Sequence, residues 1–448
     1  MMSEAIKTEN EYQAAFRVLQ ASHSARPAWL ERLRESAMNR FAELGFPTVA
    51  EEEWKYTNVA PIARLNFAPV ALSEGSSSCD QQELEPFTYP EAEQSRLVFV
   101  NGVLRSELSS LTALPADVVA VSFADALSNE RFSEVVREYL GRIVDHGDNG
   151  FTALNTAFLD HGVFVFIQRG ARLESPLHLL FLTDAGRGTP AIFPRVLLVA
   201  EENSSATIIE SYVAVDGGSY FTNAVIEVVL KGGARLNHYR VQNEGAESFH
   251  VTTTRADLGR NSAFDSTNIT LGAQLSRHDL SVIMNDEGAE CWVDGLYIVE
   301  DGQHADTHSA IDHKRPRCTS HQLYKGILNG KSRAVFNGKV FVRHGAAGTD
   351  AQQTNKNLLL SNEAHVDTKP QLEIFADDVK CAHGAAIGQL DEDELFYLES
   401  RGIHSELARN LLTYGFAEEV ISKIKIESIK AQLDAVVLNR LHASLEVC

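Results

Sequence analysis

Apolar residues recur along this chain with two periods, helical at both ends and strand-like between them. Over residues 1–60, Tyr12, Phe16 and Leu19 fall on one helix face and a break follows at 22–27. Trp29, Leu30, Leu33, Ala37 and Phe41 share the face of a second helix, stopped by Gly45 and Pro47. Trp54 and Tyr56 of Glu51-Glu-Glu-Trp-Lys-Tyr-Thr57 read as core aromatics. Residues 73–80 are small and polar, a loop or linker. Arg96-Leu-Val-Phe-Val100 reads as a strand turned by Asn101-Gly102, residues 118–121 as another, and 123–143 return to helical spacing.

From Phe151 the period is that of strands. Candidate strands lie at 163–167, 177–182, 195–199, 206–211, 224–230, 235–241, 250–256, 263–270, 276–284 and 290–299. Gly217-Gly218, Gly232-Gly233, Asn285-Asp-Glu-Gly288 and Asp301-Gly302 are among the turns between them. Such spacing suits a sandwich, a barrel or a solenoid. The pattern persists too long for one sandwich, so a β-solenoid core is favoured. After Gly388 the period is helical again. Asp391 and Glu394 form a helix-start signature, Gly402 a stop, Ser405 a second cap with Leu407, Leu411 and Leu412 inward, and Gly415 a second stop. A last helix carries a wide stripe of Ile426, Ile429, Leu433, Val436, Val437 and Leu441, to pack on its neighbours or on a partner. The expected division is 1–150 mostly helical, 151–388 a β-solenoid, and 389–448 helical.

The formal net charge of −21 argues against nucleic acid, whose phosphates need clustered Lys and Arg. No stretch resembles a membrane span, and the N-terminus lacks the apolar core of a signal peptide, so a cytoplasmic location is expected. Five scattered cysteines without a CxxC argue against a disulfide framework.

Candidate chemistry concentrates in Lys369 to Gly384, where Leu372, Ile374 and Ala376 alternate with Glu373, Phe375 and Asp377 as in a strand. Cys381 and His383 follow two residues apart, so an extended chain projects them from one face towards one soft metal or cluster. Two ligands do not complete such a site; other residues or a second chain must. A catalytic Cys381–His383 pair lacks an identifiable orienting residue, and a buried thiol beside an exposed imidazole is the plainer alternative. Cys79, Cys291, Cys318 and Cys448 read as bystanders. His304, Asp306, His308 and Asp312 fall at even spacing on one strand face; a polar ladder between coils is favoured over a metal site. Gly326-Ile-Leu-Asn-Gly330-Lys331-Ser332 resembles a phosphate-binding loop one residue short, set among strands, so ATP binding by this chain is not expected. Asp350, Asp377 and Asp378 leave a carbohydrate-active solenoid enzyme as the alternative class, although adjacent strand residues point to opposite faces.

Longer stretches carry a resemblance. Tyr324-Lys-Gly-Ile-Leu, Ser332-Arg-Ala-Val-Phe-Asn-Gly-Lys-Val-Phe-Val, Thr349-Asp-Ala-Gln-Gln-Thr-Asn-Lys-Asn-Leu-Leu-Leu-Ser and Lys369 to Gly384 together resemble the SufB/SufD family of the SUF iron–sulfur cluster assembly machinery. The likeness returns in Trp29-Leu-Glu-Arg-Leu-Arg, Gly45-Phe-Pro-Thr48 and Glu53-Trp-Lys-Tyr-Thr57, the last similar to the SufD branch. It implies a right-handed parallel β-helix between helical ends. It also implies a non-catalytic scaffold that pairs with SufB and docks a SufC ATPase through the C-terminal helices, for which the wide apolar stripe is available. The family's transient cluster site at the SufB interface maps onto His383, with Cys381 a weaker neighbour. An exposed solenoid edge would also allow a homodimer when SufB is absent, and the sequence carries no flavin fingerprint.

Overall fold

A computed structural model describes residues 11–22, 26–70, 79–160, 162–186, 188–215 and 217–443, with side chains to residue 438. The break at 22–27, the linker at 73–80, the Leu441 side chain and Cys448 lie wholly or partly outside the described residues.

The body is a β-solenoid of about eight coils. Each coil gives one strand to each of two sheets. The first sheet stacks Val163–Ile167, Arg195–Ala200, Phe221–Leu230, Phe249–Leu258, Leu275–Met284, His304–His313, Arg333–Val342 and His365–Ile374, all parallel. The second stacks Leu177–Thr183, Ser205–Ala214, Arg235–Asn243, Ala263–Thr270, Glu290–Val299, Thr319–Leu328, Asp350–Leu359 and Lys380–Gly388 in the same way. The coils stay in phase: Leu275, His304, Arg333 and His365 lie one above the next. Asn and Gly occupy left-handed turn positions between strands, as at Asn203, Gly233, Asn261 and Gly330.

Covering explains the early strands. Val163–Ile167 and Arg195–Ala200 are buried at every position, one face in the lumen and the other under helices, so they read as unbroken apolar runs. Deeper in, the lumen becomes polar. Glu210, His238, Arg240, Glu244 and His250 are fully buried there, with His250 Nδ1 2.6 Å from Glu244 and His238 Nε2 3.3 Å from Glu210. Further along, Tyr297 packs over Gly326 and Tyr324 over Gly295, each pair in register on adjacent strands, where an added Cβ would overlap the ring.

The sheets begin before residue 151. Arg96–Val100 extends the second sheet in parallel and Val118–Ser122 extends the first antiparallel. The helices Glu11–Ser22 and Ala28–Leu44 form as their spacing predicts, and Gly45 ends the second at φ 64°. Trp54 is core, whereas Tyr56 is exposed. One helix was hidden in the sequence: Gly150–Ala157, capped by Asn149 and buried at every position. A helix surrounded on all sides has no polar face, so its residues show no helical period. Asn155 anchors it to the solenoid by donating to the carbonyls of Pro194 (2.9 Å) and Asn223 (2.7 Å).

At the other end, Asp391 caps Glu392–Ser400 by accepting from the amides of Asp393 and Glu394. The next helix differs from its sequence reading. It runs Ser405–Ile421, with His404 rather than Ser405 at the cap, and passes through Gly415. A mid-helix glycine costs about 1 kcal/mol, and the burial of Ala417, Val420 and Ile421 against the solenoid outweighs it. Two of the expected inward leucines face outward: Leu407 and Leu411 are about half exposed, while Leu412 is partly buried and Ala408, Asn410 and Thr413 face in. The last helix, Glu427–Ala443, buries Ile429, Leu433 and Val437 with Ile269, Leu296, Ile298 and Ile327 of the second sheet. Its wide stripe is therefore largely used within the chain.

Candidate functional site

The solenoid stops abruptly. Among the described strands, His365–Ile374 pairs only with Arg333–Val342, and Lys380–Gly388 only with Asp350–Leu359. The strand anticipated through Ala376 ends at Ile374, and residues 375–379 turn, with Asp378 at φ 55°. Asp377 and Asp378 therefore belong to that turn. Cys381 and His383 open the last strand. Cys381 is in register with Ala351 and His383 with Gln353, both buried one coil earlier. By alternation both occupy lumen-side positions. No described coil follows, so His383 is exposed and Cys381 half-buried.

The environment is unfinished in other ways. Both amide atoms of Gln353 are buried without a hydrogen-bond partner, in the rung beneath His383. A buried amide left so costs about 1–3 kcal/mol unless water or a partner satisfies it. Burial, with the Asp350 carboxylate nearby, pushes the Cys381 thiol pKa up, so it rests protonated and must lose its proton to serve as a ligand. Among the described residues no group of three or more His, Cys, Asp and Glu is arranged to hold a metal ion. Apolar side chains are exposed around the same end at Ile374, Phe375 and Ile387.

The His304/Asp306/His308 row does something different. It lies on the outside of the first sheet under the segment Glu51–Thr57. Thr57 donates to Asp306 at 2.6 Å and lies 3.1 Å from His304 Nε2. His308 bridges Asp306 Oδ1 (3.1 Å) and Glu53 Oε2 (3.3 Å), and Arg277 donates to Asp306 at 2.7 Å from the neighbouring coil. The Arg277 guanidinium stacks on Trp54 at 3.7 Å. Glu52 pairs with Lys369 and Glu53 with Lys339. The row is the polar ladder favoured from its spacing, and it also clasps the N-terminal segment. Burial alone would lower the His308 pKa, but Asp306 and Glu53 outweigh it and hold it at about 9. Hydrogen bonding to His308 carries Glu53 down to about 2. Asp312 pairs instead with Arg343 across coils, at 2.8 Å.

The loop at Gly326 to Ser332 joins two strands, with Gly330 in the turn at φ 56°. It lacks the following helix N-terminus that seats phosphate in a P-loop. Cys79, Cys291 and Cys318 are buried.

Comparison with known proteins places this architecture. The SufBD core domain of the SUF system for FeS cluster assembly matches residues 181–416, and the SufBD protein N-terminal region matches 6–179. The chain belongs to the SufB/SufD family. It is 38% identical over 408 residues to an iron–sulfur cluster assembly SufBD family protein of Synechocystis, covering 89% of this chain and 88% of that one. It is 32% identical to the iron–sulfur cluster assembly protein SufD of Escherichia coli over 90% of this chain and 91% of the relative. With SufD of Bacillus subtilis it shares 28% identity over 96% and 98%. It is a SufD-like protein of the iron–sulfur assembly system. No helix among the described residues is long and apolar enough to cross a membrane.

A feature missed in sequence is the outward apolar set on the C-terminal helices: Phe396, Tyr397, Leu407, Leu411 and Leu438. Adjacent aromatics at 396–397 in a nine-residue helix were the available signal, since neighbours on a helix lie about 100° apart and rarely share a buried face.

Proposed function

We propose that this chain is a non-catalytic scaffold subunit of an iron–sulfur assembly complex, working in the cytoplasm. Its open solenoid end pairs with a SufB-like sister, and its C-terminal helices dock a SufC-like ATPase that supplies ATP turnover. The observation that carries the reading is the unfinished last coil. Two edges with no described partner strand, exposed apolar side chains and the Cys381 and His383 positions coincide there. A parallel edge exposes amides and carbonyls that another chain can pair. His383, with Cys381 beside it, would then face the sister's ligands, and the cluster is the complex's cargo, held transiently. Imidazole at an iron in place of thiolate raises the cluster's potential.

The outward Phe396, Tyr397, Leu407 and Leu411 support the ATPase dock, since exposed apolar clusters of this kind mark protein contacts. Co-expression with SufB-like and SufC-like proteins tests the assembly. The expected product holds one copy of this chain, one sister and two ATPase subunits, and His383→Ala in that complex lowers cluster yield while the assembly remains intact. Elution of this chain alone contradicts the partner assignment. An intact complex with full yield after His383→Ala removes His383 from the site.

A further inference from the structure

A second cleft lies far from the open end, on the outer face of the second sheet where the solenoid begins. It holds about 790 Å³ between residues 81–94 and the 107–110 turn. Its floor is Arg96. Leu97 and Phe99 of the same strand point into the lumen core, whereas Val98 and Val100 pack outside with Leu84 and Leu108, so alternation puts Arg96 on the outer face. It stands beside His178 of the next strand.

Arg96 is 6% exposed, and its Nε is buried without a hydrogen-bond partner. No described carboxylate forms an ion pair with it; Glu93 acts on it only at longer range. Burial and Arg96 itself lower the pKa of His178 to about 3, so the neighbouring ring is neutral and the guanidinium is the cation of the floor. A buried, unpaired charge is costly, and an anion of matching geometry relieves it. The walls are preformed. Tyr89 packs on the His178 ring at 4.9 Å, Asp80 and Glu83 form a capping box, and Glu91 accepts from the Ser428 amide at 3.0 Å. Thr88, Gln94 and Ser110 add hydroxyl and amide groups to the lining, while Glu85, Glu93 and Glu107 bring negative charge.

We propose that this cleft binds a small ligand through one carboxylate or phosphate group seated on Arg96. The glutamates disfavour polyanions such as nucleic acid and suit a ligand that also carries an amine. This site is independent of the partner-binding reading, because the chain alone contains it.

Calorimetric titration of the full chain with L-glutamine and with inorganic phosphate tests the proposal. Saturable binding of either probe in the millimolar range or tighter is expected, glutamine marking a carboxylate source and phosphate a phosphate source. Arg96→Gln weakens it by about tenfold or more. Gln94→Trp, at an exposed position of the lining, blocks the cleft while leaving Arg96 in place. Absence of saturable heat with both probes overturns the proposal, as does wild-type binding by either folded variant.

Discussion

At the entry end of the solenoid, Val118–Ser122 and the short Val103–Leu104 close the two sheets in antiparallel pairing. Leu104, Leu111 and Leu114 plug against the lumen core there, and the Gly150–Ala157 helix is locked beside it. At the exit end, the last two strands each pair along one edge, and lumen-side positions such as His383 are open to solvent. The same coil geometry is finished at one end and left unfinished at the other. Exposed sheet edges are ordinarily blunted or covered because they invite pairing, and the edge beside the Cys-x-His pair is the one that the proposed pairing with a sister chain would cover.

The contrast can be broken most severely in the closed body. Gly326→Val forces a branched side chain into the Tyr297 ring and the Asn357 amide; stability should fall by more than about 3 kcal/mol, read by denaturant unfolding. At the locked entry end, Arg195 donates to Glu227, Asn155 and Thr156, while Glu227 also accepts from the Gly141 and Val144 amides. Arg195→Met leaves Glu227 buried without its cation and should cost about 3 kcal/mol, with the 141–157 segment exchanging its amides faster than the late coils.

The N-terminal clasp gives a smaller, pH-dependent effect. His308 faces Asp306, Glu53 and Asp279, with Arg277 as the opposing cation. Its folded pKa of about 9 lies above the unfolded value, so its stabilisation is complete below about pH 6.5 and is lost as pH rises through 9, on the order of 2 kcal/mol. Glu53, held at about 2, adds stability that is complete above its unfolded pKa and is lost below it, as pH falls through about 2. His308→Gln should flatten the alkaline side of a stability–pH curve. The smallest effect belongs to the open end. Gly384 has nothing within 4 Å of an added Cβ, so Gly384→Ala and His383→Ala should each change the stability of the isolated chain by less than about 0.5 kcal/mol, read by denaturant unfolding.

Much of the solenoid was legible because half-buried strands alternate and their turns need Gly and Asn. The 263–270 and 290–299 strands lie where the alternation put them. The Cys381/His383 pairing on one face was legible for the same reason. What escaped was decided by contacts distant in sequence. Gly150–Ala157 is a helix because the first coils surround it, Gly415 is tolerated because its neighbours pack on the second sheet, and Leu407 faces outward because Ala408 and Asn410 take the inner face. The unpaired state of Arg96 could not be read from Arg-Leu-Val-Phe-Val, since only the fold shows that no described carboxylate forms an ion pair with it.

Hydrogen exchange of the Lys380–Gly388 amides, with the chain alone and with its SufB-like and SufC-like partners, tests the central claim most directly. Pairing at the open edge predicts strong new protection across this strand in the complex, while Phe221–Leu230, already covered on both edges, stays unchanged. Equal exchange at Lys380–Gly388 in both states, with a complex demonstrably formed, would contradict it.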